Sequence, residues 1–229
     1  VILYPKGKVS RVQELQLTTL GKNITALEIE GTFDDCQTLA KTALADEYIK
    51  QKVFLTSANS INIARWLPQQ FYYFYAWQQW QSELRITNYE LPVISVPSGN
   101  FGNICAGILA HVSGLPVKKF IAACNANDVI PNFFQTGEME EKSSVATLSN
   151  AMDVAKPSNF VRILEIFDKN FVNLKEKMES VSISDETTVK TMREVYQNYG
   201  YVLDPHGAVG FRALSDYLAE NGGAGFFLE

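Results

Sequence analysis

The sequence has no tract of basic residues and no long uninterrupted apolar run. Lys and Arg number 20 against 25 Asp and Glu, which gives a net charge of −5. A nucleic-acid-binding domain carries a basic face, so nucleic acid is not an expected partner. No apolar run reaches the roughly 18 residues that span a membrane, and no signal peptide opens the chain. We therefore expect a cytoplasmic protein that binds neither nucleic acid nor membranes.

Cysteine is also scarce. The three cysteines, Cys36, Cys105 and Cys124, are odd in number and lie in apolar or helical contexts. None has the spacing of metal ligands, and their number does not suit a disulfide framework. The sequence therefore predicts reduced thiols and no metal site.

Strand and helix patterns alternate along most of the chain. Apolar residues make up 46% and charged residues 20%, which suits a globular protein with a sizeable core. This alternation predicts an α/β fold with mostly parallel sheets covered by helices. The predicted strands cover residues 1–5, 23–31, 53–55, 91–97, 118–125 and 223–229. The predicted helices cover residues 9–21, 32–46, 101–114, 128–137, 157–170, 185–200 and 207–222, and an aromatic helix precedes residue 81 with Pro68 as a kink or start. Polar residues near 50–56 predict a boundary between domains at 1–52 and 53–229.

The sequence Ser98-Gly99-Asn100-Phe101-Gly102-Asn103 joins a buried strand to a helix. Ligands of open α/β sheets bind at the carboxyl ends of the strands, where helix N-termini present unpaired N–H groups. Glycines let the backbone approach an anion closely, and the serine and asparagines could add side-chain donors. We interpret the segment as a phosphate site that needs no metal. It is neither a dinucleotide fingerprint nor a P-loop, and an ordinary glycine-containing turn is the alternative.

A second strand-to-helix connection is rich in Ser and Asn. Asn59 and Ser60 stand at the predicted helix start, and Arg65 follows about one turn later. An arginine beside a helix start could bind a second anion. Plain capping by Ser60, with Arg65 exposed to solvent, is the alternative and is favoured for this loop alone. Two neighbouring anion sites suggest a phosphorylated cofactor and a phosphorylated substrate, and pyridoxal phosphate is a cofactor that needs no metal.

Other polar or aromatic features have simpler explanations. We expect His206 to cap the helix that starts near Gly207, and His111 to be structural. The residues 147–153 combine Ser, Asn and Asp and could line a cleft. An aromatic stripe of helical spacing predicts packing rather than a cofactor site; it comprises Trp66, Tyr73, Trp77 and Trp80.

The segments SANSINIAR, SVPSGNFGN, AACNANDVIPNFF, ATLSNAMDVAKPSNFVRI, DETTVKTMREVY and DPHGAVGFRAL together resemble threonine synthases. The resemblance covers essentially the whole chain in order. It implies the fold of the tryptophan synthase β-subunit group, which is fold type II of the pyridoxal-phosphate enzymes. It also implies conversion of O-phospho-L-homoserine and water to L-threonine and phosphate by γ-elimination and β-addition of water.

The resemblance also implies roles for the two loops. Residues Ser98, Gly99, Asn100, Phe101, Gly102 and Asn103 would bind the cofactor phosphate. Asn59, Ser60 and Arg65 would hold the phosphate of the substrate. Residues 1–52 would form the C-terminal part of a small mobile domain, and residues 53–229 would belong to the large domain that binds cofactor and substrate. The intact enzyme would be a monomer or a weak dimer.

The catalytic lysine of such enzymes, which forms the Schiff base, is expected upstream of this chain. The segment that faces the pyridine nitrogen is expected downstream. The chain also opens and closes in strand patterns, so we expect an internal fragment that is inactive alone and binds the cofactor weakly or not at all. Two alternatives remain open: a threonine-synthase-like phospho-lyase, and a non-catalytic module that binds a phosphorylated ligand.

Overall fold

The computed structural model describes residues 1–83 and 91–229. The chain forms two compact units, Val1–Ser57 and Ala58–Glu229. The division falls a few residues beyond the boundary that the polar segment near 50–56 predicts.

The first unit is a small α/β unit around two parallel strands. Strand β1 (Ile2–Pro5) pairs with β2 (Ala26–Ile29) in a register that runs from Ile2 opposite Ala26 to Pro5 opposite Ile29. Its helices are α1 (Arg11–Thr18), α2 (Phe33–Ala45) and α3 (Glu47–Lys52). Capping boxes start the first two helices, at Ser10 and at Thr32. Hydrogen bonds from Thr32 lower the pKa of the Asp35 carboxyl in the second of these boxes.

The second unit is built on a parallel sheet with the strand order β5-β4-β3-β6. The strands are β3 (Val93–Pro97), β4 (Lys119–Cys124), β5 (Met178–Ser182) and β6 (Gly225–Phe227). Because the described strands of this sheet are parallel, their carboxyl ends meet at one edge. The loop that leaves β3 at this edge carries the glycine-containing part of the candidate site.

Helices cover both faces of this sheet. They are α4 (Ile63–Trp66), α5 (Gln70–Glu83), α6 (Gly102–Val112), α7 (Val129–Thr136), α8 (Phe160–Ile166), α9 (Phe171–Lys177), α10 (Asp185–Tyr199) and α11 (Pro205–Asn221), and a 3-10 turn lies at Asn150–Met152. One face of β3 contributes Ile94 and Val96 to the larger core cluster, and the other contributes Val93 to a cluster that includes Val209 of α11. The alternation of strand side chains thus supplies two cores, and the predicted α/β class with parallel sheets is confirmed.

One predicted strand was wrong, one strand was missed, and the helix predicted over 157–170 covers only Phe160–Ile166. Residues 53–55 form no strand; Phe54 is 96% exposed and Val53 is exposed as well, so this apolar triplet is not buried as a core strand would be. Strand β5 was missed because its alternating residues include two serines and a glutamate, and it follows α9 directly. Its buried residues, Met178 and Ser180, face inward beside β4.

The smaller expectations can also be compared with the fold. All three cysteines are buried and free. His111 is structural, because its Nδ1 lies 2.8 Å from the carbonyl oxygen of Leu115. The aromatic stripe packs into the second unit: Trp66 and Tyr73 are core residues, and Trp77 packs against them. Within the described residues, no helix has the length and apolar character needed to cross a membrane, and no cluster of His, Cys, Asp or Glu could hold a metal ion.

Candidate phosphate-binding site

The start of helix α6 is an uncapped helix N-terminus at the carboxyl end of β3. The residue before the helix, Phe101, has a left-handed backbone (φ 61°), and no side chain caps the helix. None of the backbone N–H groups from Gly99 to Ile104 donates to an acceptor within residues 1–83 and 91–229. We call residues 99–104 the amide cradle. Six free amides beside the positive end of a helix dipole form a site that suits a phosphate.

The unusual backbone of Phe101 is held in place by the core. The left-handed region is strained for a bulky residue by about 1–2 kcal/mol, so it persists only where the surroundings enforce it. The Phe101 side chain is only 3% exposed, and its ring packs edge-on against Phe160 with the centroids 5.6 Å apart. Burial of this ring therefore fixes the direction of the amides in the cradle before any ligand arrives.

A side chain would collide with the neighbouring backbone at Gly99 and would be tightly packed at Gly102. A Cβ atom on Gly99 would lie 2.6 Å from the Cα of Met152, and one on Gly102 would lie 3.2 Å from the Cβ of Ser60. The glycines thus allow two neighbouring segments to close around the cradle. The free amides and this close packing fit the phosphate of pyridoxal phosphate, which is the fragment of the cofactor that the cradle could hold.

The polar side chains of the motif mostly contact protein. Ser98 is buried, and its Oγ donates to the carbonyl oxygen of Val96 over 2.8 Å. The Asn103 side-chain oxygen accepts hydrogen bonds from the hydroxyl groups of Tyr72, over 2.6 Å, and Tyr73, over 2.7 Å. Burial raises the pKa of Tyr72 to about 12 and that of Tyr73 well above its usual value, so both phenols stay neutral. The backbone, rather than these side chains, therefore supplies most of the free donors.

The second loop, residues 58–65, lies against the cradle, and we call it the Ser60 loop. The Asn100 side-chain nitrogen donates to Ser60 Oγ over 2.7 Å, and Ser60 Oγ donates to the Asn59 side-chain oxygen over 3.2 Å. The structure thus brings together Asn59, Ser60 and the cradle, as the two motifs predicted. Arg65 lies on α4 with its side chain exposed, and its guanidinium forms no hydrogen bond or ion pair within the described parts of the chain.

Two residues of this site were not identified from the sequence. Asn159 is fully buried, and its side-chain nitrogen donates to the Asn100 carbonyl oxygen over 2.9 Å. Arg162 donates to the Asn159 side-chain oxygen and, over 2.6 Å, to the carbonyl oxygen of Ile61. Both come from the start of α8, about 60 residues beyond the cradle in sequence. The residue spacing in SNFVR does not predict this role, which is seen only in the folded structure.

Residues 147–153 also border the cradle. Asp153 accepts hydrogen bonds from the Thr147 hydroxyl over 2.7 Å and from the Asn125 side-chain nitrogen over 2.9 Å. These bonds tie the segment to the end of β4, and Met152 then contacts Gly99. We expected that this segment could line a cleft. In the structure it packs on the backbone of the cradle.

The cap of helix α11 is Asp204, and the prediction that His206 provides it was wrong. Asp204 accepts a hydrogen bond from the Gly207 amide over 2.7 Å, because its carboxylate stands at the N-cap position and Pro205 follows at the first helical position. His206 instead accepts the Ala151 N–H at its Nε2 over 3.3 Å, and its Nδ1 lies 3.2 Å from Asp204.

The parallel α/β fold and the amide cradle together define a class of protein. Comparison with known sequences identifies that class. The profile described as "Pyridoxal-phosphate dependent enzyme" matches residues 1–225, and the chain belongs to that family. Its structural neighbours include maize serine racemase, with 16% identity and a TM-score of 0.64, which supports the shared fold alone.

Within that family the chain is similar to threonine synthases. It is 51% identical over 228 residues to threonine synthase of Serratia marcescens, covering 100% of this chain and 52% of the relative. The crystal structure of threonine synthase from Escherichia coli superposes with a TM-score of 0.88 at 48% identity, covering 99% of this chain and 51% of that one. A structure titled as threonine synthase with bound pyridoxal phosphate, from Brucella melitensis, gives a TM-score of 0.79 at 32% identity, covering 94% and 51%. The chain thus spans about half the length of these relatives.

Proposed function

We propose that this chain is part of a threonine synthase that uses pyridoxal phosphate to convert O-phospho-L-homoserine and water to L-threonine and phosphate. The observation that carries the proposal is the hydrogen bond between the amide cradle and the Ser60 loop, because it supports two neighbouring phosphate sites. The threonine synthase relatives support the same reaction over the whole length of this chain.

The amide cradle would hold the phosphate of the cofactor. The N–H groups from Gly99 to Ile104, which have no acceptor in the described residues, lie at the start of α6, and the helix dipole adds positive potential there. Bound pyridoxal phosphate would supply an electron sink for the carbon atoms of the amino-acid substrate. The role of this chain is to bind the cofactor phosphate and to hold it in a fixed orientation.

The Ser60 loop would hold the phosphate of the substrate. Asn59 and Ser60 provide polar side chains beside the cradle, and the exposed guanidinium of Arg65 provides a charge-assisted donor on the same short helix start. A guanidinium near the departing phosphate dianion stabilises the charge that develops as the C–O bond breaks. We assign no residue of this chain to the Schiff base.

The remaining assignments follow from the same reaction. Residues 1–52 would form part of the small mobile domain and residues 53–229 part of the large one. The complete protein would be a cytoplasmic monomer or weak dimer that needs neither nucleic acid nor a membrane. The net negative charge supports the part of this proposal that concerns nucleic acid.

The direct test supplies O-phospho-L-homoserine and pyridoxal phosphate to the purified product of the complete gene. Threonine and inorganic phosphate should appear in equal amounts, and omission of the cofactor should abolish both. Release of phosphate without threonine would identify a phospho-lyase instead. Phosphate binding without any turnover would identify a non-catalytic binding module.

A further inference from the structure

The amide cradle and the Ser60 loop are joined by a closed ring of polar contacts. The Asn100 side chain donates to Ser60 Oγ over 2.7 Å, which is the first link between the two segments. The second link begins at the Asn100 carbonyl oxygen, which accepts from Asn159, and ends at Arg162, which donates to Ser60 O over 3.4 Å. The two loops therefore contact each other directly and also through a bridge from α8.

Asn159 stands at a helix start but does not use its side chain as a cap. Asparagine at an N-cap usually accepts a hydrogen bond from the second or third amide of its helix. Here the side chain makes no such bond. Its nitrogen donates to the Asn100 carbonyl oxygen, and its oxygen accepts from Arg162. Because the residue is fully buried, each of these bonds is costly to lose.

Arg162 carries a positive charge into this ring with no carboxylate beside it. No ion pair of Arg162 occurs within residues 1–83 and 91–229, and its guanidinium lies 5.9 Å from the centre of the Trp66 ring. Cys105 adds no negative charge, because burial raises the pKa of its thiol to about 12 although the charge of Arg162 acts in the opposite direction. The positive charge is therefore not neutralised by the described neighbours.

The fork of the guanidinium suits the two carbonyl oxygens of the Ser60 loop. One terminal nitrogen contacts Ile61 O over 2.6 Å and the other contacts Ser60 O over 3.4 Å, so the plane of the group fixes two successive peptide units. A lysine ammonium is a single point donor on a different stem and could not hold both in the same geometry.

We propose that Asn159 and Arg162 are positioning residues that set the Ser60 loop against the amide cradle, and so determine the affinity for the phosphate of the substrate. The inference deepens the proposed function and rests on it for the identity of the substrate. Neither residue needs to touch the ligand, since both act through the backbone of the two loops.

The test compares Arg162→Lys with Arg193→Lys in the product of the complete gene. Arg193 is a matched control, because it is an exposed arginine on α10 whose side chain makes no polar contact in the described residues. Loss of a charge-assisted hydrogen bond predicts that R162K raises both the KM for O-phospho-L-homoserine and the Kd for inorganic phosphate by about tenfold. R193K should change neither, and kcat should fall less than KM rises.

A double-mutant cycle separates positioning from a general loss of stability. If Arg162 acts through the bridge to the cradle, R162K should add little to the effect of Asn159→Ala, because that variant has already broken the bridge at the Asn100 carbonyl oxygen. The proposal would be overturned if the effects of the two substitutions on Kd multiply in full. It would also be overturned if R162K has the same KM and Kd as R193K. If R162K does not fold, Asn159→Ala breaks the same bridge from its other end and must raise the same Kd.

The two readouts keep this inference distinct from the proposed function. Phosphate binding, followed by phosphorus NMR, needs no turnover. A wild-type protein that forms no threonine but shows the expected pattern in phosphate affinity would retain the positioning role and remove the proposed reaction. Threonine formation that R162K leaves unchanged would retain the proposed reaction and remove the positioning role.

Discussion

Asn100 and Ser60 share a hydrogen bond of 2.7 Å between the side-chain nitrogen of one and the hydroxyl oxygen of the other. The Asn100 side-chain oxygen also accepts the backbone N–H of Ser158 over 2.6 Å. One amide side chain therefore connects the cradle, the Ser60 loop and the start of α8.

The first prediction concerns this amide. Asn100→Ala should weaken the binding of both the cofactor and the phosphorylated substrate by about tenfold. Each neutral hydrogen bond lost is worth about 1 kcal/mol, and the two loops lose the side chain that joins them. The cofactor Kd and the substrate KM measure the two effects. Asn221→Ala is the control, because among residues 1–83 and 91–229 its side-chain amide contacts only Tyr217 O on α11. An N100A protein with the affinities of N221A would contradict the prediction.

The second prediction concerns Gly99. Gly99→Ala places a methyl group 2.6 Å from the Cα of Met152, so the backbone of the cradle or of the 3-10 turn must move. We expect a loss of about 1–3 kcal/mol in the free energy of unfolding together with loss of cofactor binding. Urea unfolding and cofactor titration measure these.

Gly114→Ala provides the comparison for this variant. Gly114 has a φ of 110° and open space around it, so its alanine variant is strained but far from the cradle. Both variants should lose stability, and only G99A should lose the cofactor. Cofactor binding that survives in G99A would show that the cradle tolerates a side chain.

The third prediction concerns Arg65. Arg65→Gln should raise the substrate KM by about tenfold or more, because a charge-assisted hydrogen bond to phosphate is replaced by a weaker neutral one. Stability and cofactor affinity should stay unchanged, since the side chain is exposed. Arg193→Gln is the matched exposed control. Equal KM values for R65Q and R193Q would remove Arg65 from the substrate site.

The fourth prediction concerns Asp204 and pH. Burial alone would raise the pKa of Asp204, but hydrogen bonds from Gly207 and His206 outweigh it, so the pKa is lowered from its ordinary value of 3.8. A carboxyl with a lowered folded pKa stabilises the fold above its unfolded pKa, and this stability is lost as pH falls through the folded pKa. Asp204→Ala should therefore cost about 1 kcal/mol near pH 7, as is typical for an N-cap.

The pH series distinguishes the charge of this cap from its hydrogen bond. The stability difference between wild type and D204A should shrink as the pH drops below about 4, by a few tenths of a kcal/mol because the carboxylate is partly exposed to solvent. Asp204→Asn keeps a capping oxygen and should lack that pH dependence. A constant difference across the series would show that the charge contributes nothing.

Local patterns predicted the elements that are long or strongly periodic. The strand before the cradle, the helix after it and the two loops were found because glycines, asparagines and apolar runs mark them in the sequence. Strand β5 was missed because Glu179 and Ser180 dilute its apolar pattern, and a strand of this kind becomes recognisable only beside β4.

The candidate site was only partly predictable for a different reason. The cradle and the Ser60 loop each carry a local signature, whereas Asn159 and Arg162 act on residues about 60 and 100 positions away in sequence. Such contacts depend on how the sheet folds and leave no spacing to detect. The mistaken role of His206 has a similar cause, because its partner, Ala151, lies on a distant turn.

The left-handed residue at the start of α6 has a thermodynamic consequence. Because the Phe101 ring is part of the core, the amides of the cradle are oriented only while that core is intact. A phosphate ligand that binds the folded chain and not the unfolded one must then raise the melting temperature with the logarithm of its concentration. Resistance to heat and occupancy of the cradle are in this way two measures of the same equilibrium.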